Sequence, residues 1–250
     1  MYKNKQLPFF DELPFWSAPF GLTLLNTIKI QKGINILDIG SGTGFPVLEL
    51  AQIYGDSSKV FGIEPRDEVV SLINKKIGFQ GIKNVKIIKG IAEHLPFDDG
   101  YFDLIVSNNG INNVQNALQV LSECYRVSKI GAQFTITVNL PETLGEFYKV
   151  LFKILRNNGM EDLINEIEYQ ISIKRKSIET WKTIILNSGF SINSIKKFSF
   201  KYRYADGSTF LNNWFFRKAF LDPIINITSV ESFNHILTKT EIELNIISKI

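Results

Sequence analysis

The chain is poor in cysteine, in histidine and in charge of one sign, and each shortage narrows its function. A single cysteine, Cys124, in 250 residues rules out an internal disulfide and any cysteine cluster for a metal. It suits a reducing compartment, so a cytoplasmic protein is expected and no metal site is assigned. Basic residues number 28 against 25 acidic, a net charge of +3 that is too balanced for a nucleic-acid footprint. The densest basic run, Lys174-Arg175-Lys176, reads as a solvated turn. No long apolar run occurs. The first twenty residues are broken by Pro8, Asp11, Glu12, Pro14 and Pro19, which excludes a signal-peptide core or spanning helix there and gives no expectation of a membrane partner. Repeats and low-complexity tracts are also missing.

What remains is an average globular composition, 44% hydrophobic and 21% charged. The length suits a single α/β domain with insertions. Ile34-Asn-Ile-Leu-Asp-Ile39 is apolar, β-branched and closed by glycine, the pattern of a strand buried on both faces of a parallel sheet. Pro46 then opens a helix that Gly55 stops. Further strands are expected at 59–63, 84–89, 102–106 and 132–138, with helices between them at 67–77 and 114–125, the second ended by Gly131. The alternation predicts a Rossmann-like, doubly wound, mostly parallel sheet. Beyond Pro141 it breaks into helical stretches at 143–157 and 161–168, read as an insertion before a sixth strand. A helix at 177–187, a sixth strand at 192–200 and a seventh at 241–247 complete the expected seven. One domain over 1–250 is expected, with an N-terminal cap at 1–30, a cofactor-binding core at 31–140, and substrate-side insertions at 141–176 and 206–238.

Chemistry concentrates at the first strand's end. A glycine-rich turn between strand and helix lets backbone approach a ligand and aims free helix amides at it. Alone it is a weak signal, because dehydrogenases hold dinucleotides with the same atoms. Glu64 follows about 20 residues past the loop, where a carboxylate can accept from both ribose hydroxyls, so an adenosine-bearing cofactor is expected.

In order along the chain stand Ile36-Leu-Asp-Ile-Gly-Ser-Gly-Thr-Gly44, Gly62-Ile-Glu-Pro65, Glu93-His-Leu-Pro-Phe-Asp98, Tyr101-Phe-Asp-Leu-Ile-Val-Ser107 and Tyr125-Arg-Val-Ser-Lys-Ile-Gly131. This series resembles the successive motifs of class I S-adenosylmethionine-dependent methyltransferases. It is most similar to the small-molecule branch that includes the ubiquinone and menaquinone biosynthesis enzymes. The resemblance covers about residues 30–140, with a weaker match over 181–190. It implies S-adenosyl-L-methionine as cofactor and a small-molecule methyl acceptor. Asp38 with Gly40, Ser41, Gly42 and Gly44 would hold the methionine part, Glu64 the ribose, and Pro65 or Arg66 would lie beside the adenine. Ile91, Ala92 and Glu93 would cover the other adenine face, and Ser107 and Asn108 would flank the methionine near the sulfonium. The family usually carries an acidic residue where Ile91 stands. The adenine amino group's bond is therefore missing, or comes from a backbone carbonyl or Glu93.

No catalytic residue is named, since a sulfonium methyl is already activated and positioning can supply most of the rate. His94 reads as a solvated loop histidine rather than a base, and His235 has no better claim. Asn108, Asn109, Asn112 and Asn113 read mainly as turn residues. The aromatic segment 9–20 is expected to fold over the cleft, with Trp16 and Phe20 lining it. Tyr202, Tyr204, Asp206, Trp214, Phe215 and Arg217 form a second group, in which Tyr204 and Asp206 are the polar candidates for touching substrate. Two other readings stand beside methyl transfer: a cofactor-binding partner protein without catalysis, and a nicotinamide-dependent oxidoreductase.

Overall fold

The computed structural model describes residues 14–227 and 230–247. The aromatic stretch from Phe9 up to residue 13 falls outside them. The chain divides into two compact units, the first running to Asn139 and taking in Ser177–Lys196, the second comprising Leu140–Lys176 and Lys197–Ile250.

The first unit holds a five-stranded parallel sheet in the order β3-β2-β1-β4-β5, with β1 at Asn35–Ile39, β2 at Lys59–Glu64, β3 at Val85–Lys89, β4 at Phe102–Asn108 and β5 at Ser128–Thr137. Each crossover carries a helix or loop, as parallel pairing requires. Helix α1 (Pro14–Leu25) precedes the sheet, α2 (Val47–Tyr54) and α3 (Asp67–Gln80) follow β1 and β2, and α4 (Ala117–Val127) leads into β5. The two faces of β1 enter different cores. Ile36 packs with Val47, Leu50, Val69 and Ile73 of α2 and α3, whereas Leu37 and Ile39 pack with Val120, Leu121 and Cys124 of α4. That double burial is why β1 reads as an unbroken apolar run rather than an alternation.

Residues 178–187 rejoin this unit as a later helix, capped by Ser177 Oγ accepting from Thr180 N at 3.1 Å, and Trp181 seats in the α4-side core. One boundary differs from expectation. Helix α4 stops at Val127, and Gly131 lies within β5 at φ +82°. There the pairing slips from Phe102↔Ser128 to Leu104↔Gln133, so this glycine makes a bulge rather than a helix stop.

Arg126 fixes the loop between β3 and β4. Its Nε and Nη2 donate to the two Glu123 oxygens, both at 2.8 Å, Nη1 to Asp99 Oδ1 at 2.7 Å and Phe97 O at 2.9 Å, and Nη2 to Leu95 O at 3.0 Å. A lysine offers no such fork. Arg126→Lys is expected to lower stability by about 1–3 kcal/mol, read as a lower urea midpoint at unchanged slope.

The second unit is helical around its own core. Helices α5 (Gly145–Asn157) and α6 (Glu161–Lys174) contribute Phe147, Leu151, Leu155 and Ile164. With α7 assigned to Ile178–Asn187 of the first unit, α8 is Gly207–Leu211 and α9 is Val230–Ile247. Between α8 and α9 runs a chain of helical turns from Trp214–Phe216 through Arg217–Leu221 to Asp222–Ile225.

Two expected strands are not formed. Residues 192–200 carry no regular pairing and are mostly exposed. Ile192, Ile195 and Phe198 recur every third residue, which cannot place them on one face of a strand of period two. Residues 241–247 belong to α9, where Phe233, Ile236, Leu237 and Leu244 make a helical stripe facing the second core. The sheet therefore has five strands among the described residues instead of seven. The basic run also departs from a solvated turn: Arg175 is buried at 7% exposure.

Candidate functional site

The site forms where β1, β2 and β4 end. Gly40 N and Ser41 N both donate to Ile63 O, at 3.0 and 3.1 Å, which folds the glycine loop across the tip of β2. Gly40, Gly42 and Gly44 all take positive φ, +74°, +54° and +118°, a region that side chains disfavour. Their surroundings differ. A Cβ on Gly40 would come within 2.9 Å of Gly110 Cα, so this glycine permits backbone crossing inside the protein. A Cβ on Gly42 would meet nothing closer than Gly40 O at 4.0 Å, which leaves its surface open to a ligand. Gly62 on β2 is closed by the Ser41 hydroxyl and Ile87, so Ser41, fully buried, serves the loop's packing, its Oγ donating to Asp38 O at 3.3 Å.

Two carboxylates flank this loop. Glu64 closes β2, 3% exposed, and its Oε2 accepts from Gly42 N at 3.2 Å. Its Oε1 accepts from Arg66 N at 3.3 Å and from Arg66 Nε at 2.6 Å. Pro65 and Arg66 beside it are exposed. Asp38 on β1 is 0% exposed, and neither of its oxygens has a hydrogen-bond partner among the described residues. Burial pushes its pKa from 3.8 to about 7; the Ser41 hydroxyl opposes this, and the charges of Glu49 and Glu64 add to it. A carboxylate buried without a partner costs free energy unless a donor or cation reaches it.

The loop after β3 carries Ile91, Ala92 and Glu93. Ile91 is 50% exposed while Ala92 is buried. Glu93 is spent elsewhere: its Oε1 accepts from Gln115 N at 3.0 Å and Asn116 N at 3.3 Å, at the entry to α4. His94 is exposed.

At the end of β4, Ser107 is also committed inward, its Oγ donating to Ile39 O at 2.9 Å and accepting from Ile111 N at 3.1 Å. It sets the β1 and β4 tips in register. Asn108 Oδ1 accepts from Thr137 Oγ1 at 2.8 Å and its Nδ2 donates to Ser17 O at 3.3 Å, tying α1 to the sheet. Helix α1 rests closely on the loop, since a Cβ on Gly21 would strike the Phe45 ring. Trp16 and Phe20 lie on this helix with ring centroids 6.1 Å apart, Phe20 buried and Trp16 partly so. The other asparagines are turn residues: Asn109 sits at φ +59°, its Oδ1 accepting from Asn112 Nδ2 at 3.1 Å and its carbonyl from Asn113 Nδ2 at 3.4 Å.

In the second unit, Asp206 Oδ1 accepts from Thr209 N at 2.6 Å, capping α8. Tyr204 packs on Phe210 at 5.2 Å and Arg217 bonds Asn212 Oδ1 at 3.2 Å. Sequence reasoning missed Gly110, whose Cα fills the hollow above Gly40. The signal was present as Asn109-Gly110 after an apolar strand, a turn dipeptide.

Residues 37–136 match a family model described as a methyltransferase domain. Among curated relatives, the demethylmenaquinone methyltransferase of Geobacillus stearothermophilus is 34% identical over 108 residues, 43% of this chain and 46% of the relative. That of Geobacillus kaustophilus is 30% identical over 133 residues, 53% and 57% of the two chains. The chain spans about half the length of the curated relatives it matches. A solved S-adenosylmethionine-dependent methyltransferase from Aquifex aeolicus superposes with TM-score 0.51 at 25% identity, covering 57% of this chain and 76% of that one. The YcgJ protein from Bacillus subtilis shares the fold, with TM-score 0.59 at 19% identity over 89% and 82%. With the parallel sheet, these matches show that residues 37–136 are similar to a methyltransferase domain and that the chain shares the fold of a solved S-adenosylmethionine-dependent methyltransferase.

Proposed function

We propose that the protein transfers a methyl group from S-adenosylmethionine to a small organic acceptor. The observation that carries this reading is the pair of carboxylates around an open glycine: Glu64, which already takes the Gly42 amide, and Asp38, buried with both oxygens unpartnered. A zwitterionic amino acid joined to a ribose offers what this pair lacks, an ammonium for one carboxylate and two hydroxyl donors for the other.

In this reading Asp38 balances the ammonium and Glu64 takes the ribose hydroxyls. Gly42 gives the backbone room, and Pro65, Arg66 and Ile91 bracket the adenine. The exposed Ile91 side chain suits a ring face, and the amino-group contact of the usual acidic residue is given up. Ser41, Glu93, Ser107 and Asn108 act as positioning residues, since their polar atoms are engaged within the protein. Trp16 and Phe20 belong to the cover that α1 lays beside the loop. The chemistry supplied when the cofactor is bound is a methyl on positively charged sulfur, which an acceptor nucleophile attacks in line. The residues need only orient the partners and exclude water, so no base is assigned. The second unit lies outside the matched residues, and we assign acceptor choice to it. The buried lone thiol fits a cytoplasmic setting, and the balanced charge fits a small molecule better than a nucleic acid.

The test is transfer of label from methyl-labelled S-adenosylmethionine into the low-mass fraction of a metabolite extract. Label appearing there is the expected result. Tight cofactor binding with no transfer across a broad acceptor panel would replace the reading with a non-catalytic binding protein. Binding of NADH in place of S-adenosylmethionine would favour an oxidoreductase.

A further inference from the structure

The second unit buries a guanidinium, and among the described residues no acid is hydrogen-bonded or ion-paired to it. Arg175 follows α6, its amide closing the last turn on Ile171 O at 2.8 Å. Its Nη1 donates to Thr143 O at 2.7 Å, and its Nη2 reaches the Tyr148 hydroxyl at 3.4 Å. The guanidinium carbon lies 5.3 Å from the Tyr148 ring centroid and 5.4 Å from that of Phe220. Two neutral oxygens and two ring faces leave the charge uncompensated, and an arginine cannot shed its proton to escape the cost.

Among the described residues, three acids close in sequence to its contacts are each paired with a lysine. Glu142 and Glu146, on either side of Thr143, pair with Lys197 at 2.9 Å and Lys201 at 4.0 Å, and Asp222 pairs with Lys218 at 2.6 Å. The Tyr148 hydroxyl supplies no charge either. Burial raises its pKa, against the pull of Arg175, so it stays protonated at neutral pH. Phe220 meets the guanidinium from an uncommon backbone: Arg217–Leu221 form a wide turn in which Asp222 N donates to Arg217 O, five residues back. Such turns recur at functional sites.

We infer that Arg175 anchors an anion-binding site within the second unit, one that takes the carboxylate of a flat aryl or similarly apolar ligand. A planar fork matches a carboxylate in bidentate fashion, and the ring faces of Tyr148 and Phe220 suit the apolar remainder. An inorganic oxyanion would meet the charge but leave the rings unused. The site stands on these contacts alone and does not depend on methyl transfer.

Benzoate titrated into the full chain without S-adenosylmethionine should bind saturably, and sulfate at least tenfold more weakly. Arg175→Met should weaken benzoate binding at least tenfold, Arg175→Lys less so, and Phe220→Leu severalfold with the guanidinium intact. Without ligand, Arg175→Met should melt at or above the wild-type temperature, because it removes an unbalanced buried charge. A guanidinium kept only to hold Thr143 O would give the opposite result, a melt several degrees lower, and that would overturn the inference. So would an absence of saturable benzoate binding, unchanged affinity in Arg175→Met and Phe220→Leu, or sulfate binding as tightly as benzoate.

Discussion

Glu64→Ala is expected to weaken S-adenosylmethionine binding about a hundredfold in titration calorimetry. Two hydroxyl bonds to an ionised carboxylate at the end of β2 are lost, each worth roughly 1.5–3 kcal/mol. Glu64→Gln keeps the shape and one acceptor, so its loss should be nearer tenfold. Arg66 provides the discriminating control. Its Nε pairs with Glu64 Oε1 at 2.6 Å, and its side chain is 55% exposed against 4% for Glu64. If the carboxylate served only this ion pair, Arg66→Ala and Glu64→Ala would behave alike. If it serves the ribose, Arg66→Ala removes the guanidinium from Oε1 and leaves only the backbone amide there, and affinity should be kept or improved while Glu64→Ala loses it. Equal affinities across all three variants would sink the ribose assignment.

The strands and the glycine loop of the candidate site were legible because their signals are local. The sequence from Ile36 to Gly44 places a doubly buried strand, a loop requiring positive φ and a helix start within one stretch, and Glu64 follows at the end of the next strand. Which way a polar side chain turns is not local. Ser107 and Glu93 sit in matching motifs, yet their polar atoms go to Ile39 O and to the amides of Gln115 and Asn116, partners fixed only when β4 docks on β1 and α4 begins. Outside the matched stretch, periodicity was misread for a related reason. Residues 241–247 look β-branched and strand-like in isolation, but Phe233, Ile236 and Leu237 earlier in the chain complete a helical stripe that a short window does not contain. Arg175 was hidden likewise: between two lysines it reads as solvated, and only the packing of α5, α6 and Phe220 encloses it.

Asp38 should give the protein a pH dependence opposite to that of a salt-bridged carboxylate. Its folded-state pKa is raised to about 7, burial being the main cause. Folding therefore takes up a proton between about pH 4 and pH 7, and stability falls as the pH rises through that window. The full penalty is present above about pH 7, with an upper bound of about 4 kcal/mol from the size of the shift. Asp38→Asn removes the ionising group while keeping its shape. Its melting temperature should match the wild type near pH 4, where the carboxyl becomes protonated in both states, and exceed it at pH 8, by several degrees. Binding should move the other way. A ligand ammonium beside Asp38 lowers the carboxyl's pKa, so S-adenosylmethionine should bind more tightly at pH 8 than at pH 6 and should release close to one proton near pH 6. Calorimetry in buffers of different ionisation enthalpy reads that proton directly, and Asp38→Asn should abolish both the release and the pH dependence. Wild-type stability that stays flat from pH 5 to 8, with cofactor binding that moves no proton, would show that Asp38 neither stands alone in its cavity nor meets the ammonium.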